Sequence, residues 1–328
     1  MSPIGRAACR SAEKEAEGAK TEVVSNELDT LLTALYVDLE DRVLPAVGCS
    51  RAHRRGRRPA LSDAELLCLV VAQQLLGVAS ERHWIRYART NLAGMFPQLP
   101  GQSGYGKRLR AGGPLIARAI RALAQVTTTG APILRLIDST PVPCGMSRQT
   151  AKRSDLAGDA GYGYCASHSR YFWGMRLYLV TTVEGMPVTW CLANPKLDER
   201  DVMTALLEVD HHLITAGQVI LADKGFASAE FEAFLDRESG AHLVRPARKN
   251  SNDPASSPAE RALLRMRQWI EAIFDTLKGQ LSLEHHGARV RHGIYARVGQ
   301  RLLAMAACIW HNTSLGVPAK RSLIAYDH

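Results

Sequence analysis

The sequence lacks any apolar run long enough to cross a membrane. No stretch reaches the ~18 to 20 uninterrupted apolar residues that a membrane-spanning helix needs. The N-terminus also lacks the apolar core of a secretory signal, because Arg6, Arg10 and Glu13 lie close together there. We therefore expect no membrane association and a cytoplasmic location.

Paired cysteines are missing as well. The seven cysteines are odd in number and widely scattered, and no two of them form a C-x-x-C motif. This pattern argues against a zinc ribbon, a dithiol redox site and a disulfide-stapled domain, so we expect reduced thiols. Charged residues make up only 22% of the chain and apolar residues 46%, which is enough for one sizeable core and a second, smaller domain.

The sequence does have an excess of positive charge, with a formal net charge of +9 that is unevenly placed. One basic run consists of Arg51, Arg54, Arg55, Arg57 and Arg58. A second lies within residues 101–137, which contain no acidic residue and carry Lys107, Arg108, Arg110, Arg118, Arg121 and Arg135. A polyanionic partner is favoured. Charge alone does not separate DNA from RNA or a membrane surface, and many basic runs are only solvated.

The first 128 residues predict a polar arm followed by a helical region. Residues 1–27 are polar and mixed in charge, as is typical of a mobile arm. Within residues 28–128, apolar residues recur at helical spacing, and Ser62 with Glu65 forms a capping box before a long apolar run. An all-α region of this size and charge suits a helix-turn-helix type DNA reader, with a plain helical bundle as the alternative.

The pattern changes near residue 130, where we predict the start of an α/β domain over residues 131–313, with 314–328 as a C-terminal tail. A short apolar strand is expected to run into Asp138, and a second, within residues 218–222, to run into Asp223. Between them, two β-branched and aromatic runs flank Gly185 and predict a β-hairpin. Strands and helices then alternate, which favours a mixed sheet flanked by helices.

One helix of this domain carries a distinctive set of charges. A capping box formed by Ser257 and Glu260 predicts its start, and its pattern continues to about Lys278. At about 100° per residue, Arg267, Glu271 and Lys278 fall within roughly 40° of one another beside an apolar face. Such a face can bind metal and phosphate oxygens together.

Each acidic candidate also has a plain structural alternative. Asp138 and Asp223, at the ends of buried strands, could project into a shared crevice, where carboxylates without partners favour a cation. Taken singly, each could instead cap a following helix or turn. Glu271 could be a solvent-facing residue paired with Arg267 four positions earlier.

Taken together, these residues resemble the DDE transposases of bacterial insertion sequences. The resemblance rests on Ile137-Asp138-Ser139, on Ala222-Asp223-Lys224-Gly225-Phe226, and on the helical set Arg267, Glu271 and Lys278. It extends to Arg170-Tyr-Phe-Trp-Gly174, Gly185-x-Pro187-Val188 and Asp198-Glu-Arg200, and so covers most of residues 130–313. Leu264 departs from the family pattern, because many relatives carry a tyrosine at this position.

The resemblance implies a ribonuclease-H-like catalytic domain, preceded by the helical DNA-binding region. Asp138, Asp223 and Glu271 would coordinate two Mg²⁺ ions, or Mn²⁺ in their place, for DNA strand cleavage and strand transfer. Arg267 and Lys278 would hold phosphate oxygens near the cut.

Double-stranded DNA, as terminal inverted repeats and as target, is the partner that the resemblance implies. The residues expected to contact it are Lys107, Arg108, Arg110, Arg54, Arg55, Arg57 and Arg58. Because an element has two ends, a homodimer or larger assembly on DNA is expected. The bacterial nucleoid would be its location when it is bound to DNA.

Two other functions stay open at this point. A repurposed, non-cleaving DNA-binding protein derived from a transposase would use the same helical region. Another two-metal ribonuclease-H-like nuclease, such as a junction resolvase, would use the same carboxylates. The helix with Arg267, Glu271 and Lys278, together with the helical N-terminal region, argues against the second.

Overall fold

The N-terminal part of the chain is helical throughout the residues described. The computed structural model describes residues 28–46, 59–128, 134–145, 147–165, 169–247, 257–317 and 323, so the predicted arm and the arginine run at 51–58 lie outside it. The helices are α1 (28–46, with a π-helical turn at Leu39–Val43), α2 (Asp63–Leu75), α3 (Glu81–Asn91), α4 (Gln102–Ala111) and α5 (Gly113–Thr128). The predicted capping box is confirmed, since the Glu65 amide donates to Ser62 Oγ at 3.0 Å.

A mixed sheet forms the centre of the second part. Its strands are β1 (Leu134–Gly145), β2 (Gly161–Cys165), β3 (Arg170–Thr182), β4 (Pro187–Ala193), β5 (Val219–Leu221) and β6 (His242–Val244). β1 pairs antiparallel with β3 and parallel with β5, and β6 is parallel to β5. β2 and β4 pair with successive halves of β3, and Gly185 turns the predicted β3–β4 hairpin with a φ of 99°.

Helices cover both faces of this sheet. They are α6 (Arg148–Arg153), α7 (Glu199–Val209), α8 (Ala229–Ser239), α9 (Pro258–Met266), α10 (Gln268–Gly279) and α11 (Arg291–Ser314). Because side chains alternate along a strand, Leu136 and Leu179 share a core with α10 and α11, whereas Ile137 and Val180 pack with α7 and α8. The predicted ribonuclease-H-like mixed sheet flanked by helices is confirmed. No helix in the described ranges has the length and apolar character that crossing a bilayer requires.

The N-terminal helices pack directly on the sheet domain. One buried core runs from α1 through α11 into the strands. Trp190 of β4 stacks on Tyr295 of α11 with ring centroids 4.5 Å apart, and Arg121 of α5 forms an ion pair with Asp210 at 2.7 Å. The proposed division into regions 28–128 and 131–313 stays a prediction, since this shared core gives no boundary between them.

The prediction that β1 ends at Asp138 is wrong, because the strand continues to Gly145. Pro141 and Pro143 lie in this extension and cannot donate backbone hydrogen bonds. The sheet tolerates them because β1 pairs with β5 only over Leu134–Leu136, so beyond that point β1 has a partner on one side only.

The predicted continuous helix over residues 257–278 is interrupted at Arg267. Its start is confirmed, with Ser257 as N-cap and Glu260 completing the capping box. At the break the backbone hydrogen bonds join residues three positions apart, not four. The Arg267 amide donates to the Leu264 carbonyl, and the Ile270 amide donates to the Arg267 carbonyl. Buried side chains are confined to α10 and none belongs to α9, so the two helices pack differently.

Candidate functional site

Asp138 and Asp223 lie where two parallel strands separate. β1 and β5 pair as far as Leu136 and Leu221, and Asp223 follows β5 after one further residue. Where neighbouring parallel strands separate at their carboxyl ends, a crevice opens between them. Each carboxylate is oriented by the next backbone amide: Ser139 donates to Asp138 Oδ1 and Lys224 to Asp223 Oδ1, both at 2.7 Å.

Asp138 lies in an environment that disfavours its charge. Burial raises the pKa of Asp138 to about 6 from 3.8, the hydrogen bond from the Ser139 amide opposes that rise, and the negative charge of Asp223 adds to it. The guanidinium groups of Arg267 and Arg176 lower the pKa by smaller amounts. The two aspartates therefore interact electrostatically across the crevice, and a cation placed between them would be stabilised.

Arg267 connects Asp223 to Glu271. Its guanidinium nitrogens lie 3.6 Å from Asp223 Oδ1 and 3.9 Å from Glu271 Oε1. The Glu271 side chain is 63% exposed, against 42% for Asp223 and 25% for Arg267. Arg267 also acts electrostatically on Asp138, so the structure brings together four of the predicted site residues, Arg267 and three carboxylates. Lys278 is half-buried further along α10 and makes no ion pair within the described residues.

The donor atoms suit a hard divalent cation. Asp138, Asp223 and Glu271 offer only carboxylate oxygens, which Mg²⁺ and Mn²⁺ prefer, and burial of Asp138 beside another carboxylate favours added positive charge. In the described ranges no three acidic, histidine or cysteine side chains already surround a common point. Glu271 would have to approach the aspartates to complete the ligand set, while Arg267 supplies the positive charge in this arrangement.

Three residues that the sequence did not single out for catalysis form a network beside Asp138. Arg176 Nη1 donates to Ser139 Oγ at 2.8 Å, Ser139 Oγ donates to Glu199 Oε1 at 3.0 Å, and Arg176 forms an ion pair with Glu199. Glu199 Oε2 also lies 3.4 Å from the position that a Cβ at Gly225 would take. Glu199 therefore bonds to the segment that carries Asp138 and lies close to the segment that carries Asp223. The sequence signals for this network were the family segments Ile137-Asp138-Ser139 and Asp198-Glu-Arg200.

The predicted DNA-contact residues differ in how far they are free to contact DNA. Arg108 forms an ion pair with Asp63 and donates to the Leu61 carbonyl, so it ties α4 to the start of α2. Lys107 and Arg110 on the same helix are exposed. The remaining four predicted residues, Arg54, Arg55, Arg57 and Arg58, lie outside the described part of the chain.

The fold and this crevice define a class of protein: a ribonuclease-H-like domain with paired aspartates where two central parallel strands separate and a glutamate on a neighbouring helix. Residues 128–292, half of the chain, match the family model described as a transposase DDE domain. The chain belongs to this family of DDE transposase domains.

Comparison with solved structures gives a match to the piggyBac transposase in its cryo-EM synaptic complex with hairpin DNA. The two chains are 10% identical with a TM-score of 0.46, and the match covers 89% of this chain and 76% of that one. No curated protein sequence matches the chain significantly.

Proposed function

We propose that this transposase binds the terminal inverted repeats of an insertion sequence and catalyses metal-dependent strand cleavage and strand transfer. The observation that carries the proposal is the crevice in which Asp138 and Asp223 interact and in which Arg267 bridges Asp223 to Glu271. Three carboxylates near one arginine suit phosphodiester chemistry. The carboxylates can bind divalent metal ions, and the guanidinium that they now pair with can bind the phosphate.

Asp138, Asp223 and Glu271 are the proposed ligands of two Mg²⁺ or Mn²⁺ ions. When bound, these ions would activate a water or a DNA 3′-hydroxyl and stabilise the leaving oxygen of an in-line displacement at phosphorus. The hydrogen bonds from the amides of Ser139 and Lys224 fix the orientation of the two aspartates before any ion arrives. A prearranged pair needs little reorganisation, and Glu271 is the ligand that moves.

Arg267 has two tasks in this proposal. In the free protein its guanidinium offsets the negative charge of Asp223 and Glu271. With metal ions bound to the carboxylates, the same guanidinium would be free to hold phosphate oxygens beside the cut, a task for which its planar donors are well suited. Lys278, further along α10, would contact the phosphate backbone as a point charge.

The N-terminal helices supply the proposed DNA-binding surface. Lys107 and Arg110 are exposed on α4 and can reach phosphates, while Arg108 holds α4 against the loop that begins α2. The basic run that ends with Arg54, Arg55, Arg57 and Arg58 precedes α2 in the sequence and would add phosphate contacts. We further propose that a homodimer or larger assembly joins the two element ends, and that the protein acts at the bacterial nucleoid.

The experiment is a cleavage assay on labelled DNA that carries the inverted repeats flanking the gene. Purified protein is incubated with this DNA and either Mg²⁺ or EDTA, and nicks at the element ends are mapped. Mg²⁺-dependent nicks that leave a 3′-hydroxyl are expected. Binding to the ends without any nick in Mg²⁺ or Mn²⁺ would contradict the proposal and favour a repurposed DNA-binding protein.

A further inference from the structure

Three exposed tyrosines lie together at the end of the sheet remote from the aspartates. Tyr162 and Tyr164 of β2 are 51% and 47% exposed, and Tyr171 of β3 is 78% exposed. Tyr164 and Tyr171 are opposite each other across the two strands, with ring centroids 5.0 Å apart. We call these three residues the tyrosine face. Clustered aromatic side chains left in solvent are typical of a surface that binds something.

The backbone of β2 fixes Tyr162 and Tyr164 on the outside of the sheet. The strand alternates glycine and tyrosine, and its glycines face inward. A Cβ at Gly163 would lie 2.7 Å from atoms of Phe172 and Pro195, and a Cβ at Gly161 would lie 2.5 Å from Asn194. The inner side therefore has no room for a larger side chain, so a shift of register by one residue, which would bury the tyrosines, is blocked.

A basic helix borders the tyrosine face. The short helix α6 carries exposed Arg148, Lys152 and Arg153 and no acidic residue. Thr150 of this helix and the ring of Trp173 both lie 3.1 Å from the Cβ position of Gly145, and Trp173 is the cross-strand partner of Tyr162.

Two of the acidic groups near these strands are already neutralised. Glu284 is bonded to Arg170 at 2.7 Å, and Asp159 lies 3.5 Å from Arg291. Asp155, just after α6, is exposed, but the three cations of α6 outnumber it and leave a net positive charge there. Positive charge beside exposed aromatic rings is the combination that binds single-stranded nucleic acid.

The tyrosine face lies on the same side of the sheet as Asp138. Asp138 is opposite Leu179 on β3, and Tyr171 is an even number of residues from Leu179, so their side chains point to the same face. The eight residue steps along β3 from Tyr171 to Leu179 span about 26 Å at ~3.3 Å per residue. A DNA strand with ~3.4 Å per nucleotide covers this distance in about seven or eight nucleotides.

We propose that the tyrosine face and helix α6 bind an unpaired stretch of DNA about seven or eight nucleotides from the bond at the carboxylates. Bases stack on Tyr164 and Tyr171, while Arg148, Lys152 and Arg153 contact the phosphates. The strand is unpaired because a duplex keeps the faces of its bases inside its own stack, where a side chain on a flat sheet surface cannot reach them. The spacing from the cut rests on the proposed function, but the binding of single-stranded DNA does not.

The test measures binding of a fluorescent oligonucleotide of about 20 thymidines to the full chain in EDTA by anisotropy. The double variant Tyr164→Ala, Tyr171→Ala should weaken binding about tenfold or more, whereas Tyr164→Phe, Tyr171→Phe should stay within about twofold, because phenylalanine still stacks. Val209→Ala, at an exposed apolar residue at the end of α7 and outside the N-terminal helices, is the control and should leave binding unchanged. Thermal melting of each variant checks that it is folded.

The charge on α6 is tested separately with Lys152→Gln, Arg153→Gln. These changes should reduce the slope of log affinity against log salt by about 1 to 2 while the tyrosines still stack.

Several outcomes would overturn the inference. One is wild-type affinity in the folded double alanine variant, and another is an equal loss in the double phenylalanine variant. A third is a change from dimer to monomer with unchanged DNA affinity, which would make the face a contact between copies of the chain. If the wild-type protein binds the oligonucleotide through its tyrosines but does not cleave the element ends, the proposed function alone is contradicted.

Discussion

The aspartates and the glutamate of the candidate site are held in different ways. Asp138 and Asp223 extend from strands of one hydrogen-bonded sheet, and each accepts a hydrogen bond from the next amide. Glu271 is on a helix that begins just after a break, and its side chain is more exposed than that of Asp223. Two of the three proposed metal ligands are therefore preset by the fold, whereas the third is more exposed and would move when ions and DNA bind.

The largest effect should come from a preset ligand. Asp223→Asn should lower Mg²⁺-dependent strand cleavage about a thousandfold or more, the scale of loss when one member of a catalytic unit is removed. Binding to the element ends, measured by gel shift, should change little. Asp201→Asn, at an exposed aspartate on α7, is the control and should cut normally. Full cleavage by the Asp223 variant would remove this residue from the metal site.

A smaller but still large effect is expected from the mobile ligand. Glu271→Gln should lower cleavage about a hundredfold, because an amide oxygen binds a cation more weakly than a carboxylate. The matched control is Asp275→Asn, an exposed carboxylate one turn further along the same helix. Equal losses in the two variants would mean that the negative charge of α10, and not a ligand at Glu271, is what matters.

Glu199 should have a moderate effect as a positioning residue. Glu199→Ala removes the partner of Ser139 and Arg176 and should lower cleavage about tenfold, as is usual for residues that orient ligands. The Mg²⁺ concentration for half-maximal cleavage should rise too, and Glu199→Gln, which still accepts the Ser139 hydrogen bond, should lose less. Glu208→Ala on the same helix is the control. An unchanged Mg²⁺ requirement would leave Glu199 with a purely structural role.

The smallest effect concerns stability and pH. Because the folded pKa of Asp138, about 6, lies above its ordinary value of 3.8, the folded protein binds a proton more tightly than the unfolded chain between these values. The free energy of unfolding therefore falls as pH rises through this window. In EDTA at about pH 7.5, Asp138→Asn should be more stable than wild type by about 1 to 2 kcal/mol.

Thermal melting over a pH series measures this difference. The advantage of Asp138→Asn should vanish below about pH 4, where the aspartate of the wild type is protonated in both states. A variant that is less stable than wild type at every pH would contradict the assigned burial of a charged Asp138.

The comparison of strand and helix also shows what the sequence can predict. Apolar runs that end on Asp138 and Asp223 and the capping box at Ser257 are local signals, and the structure has the strands and the helix start at these places. The extension of β1 through Pro141 was not predictable, because it depends on how far a distant strand, β5, continues alongside. The break at Arg267 has no proline or glycine to mark it.

The network around Ser139 was hidden for a related reason. Arg176 and Glu199 are 37 and 60 residues away from Ser139 in the sequence. Only the pairing of β1 with β3 and the packing of α7 bring them together. A single sequence therefore predicts candidate metal ligands better than it predicts the side chains that orient those ligands.

The most direct test of the central claim is a count of bound Mn²⁺ by electron paramagnetic resonance on the protein bound to DNA of one element end. We predict two ions per protomer for the wild type and loss of binding in Asp223→Asn, with Asp201→Asn like the wild type. Equal Mn²⁺ binding by wild type and Asp223→Asn would contradict the account, because the crevice between the two strands would then not be the metal site.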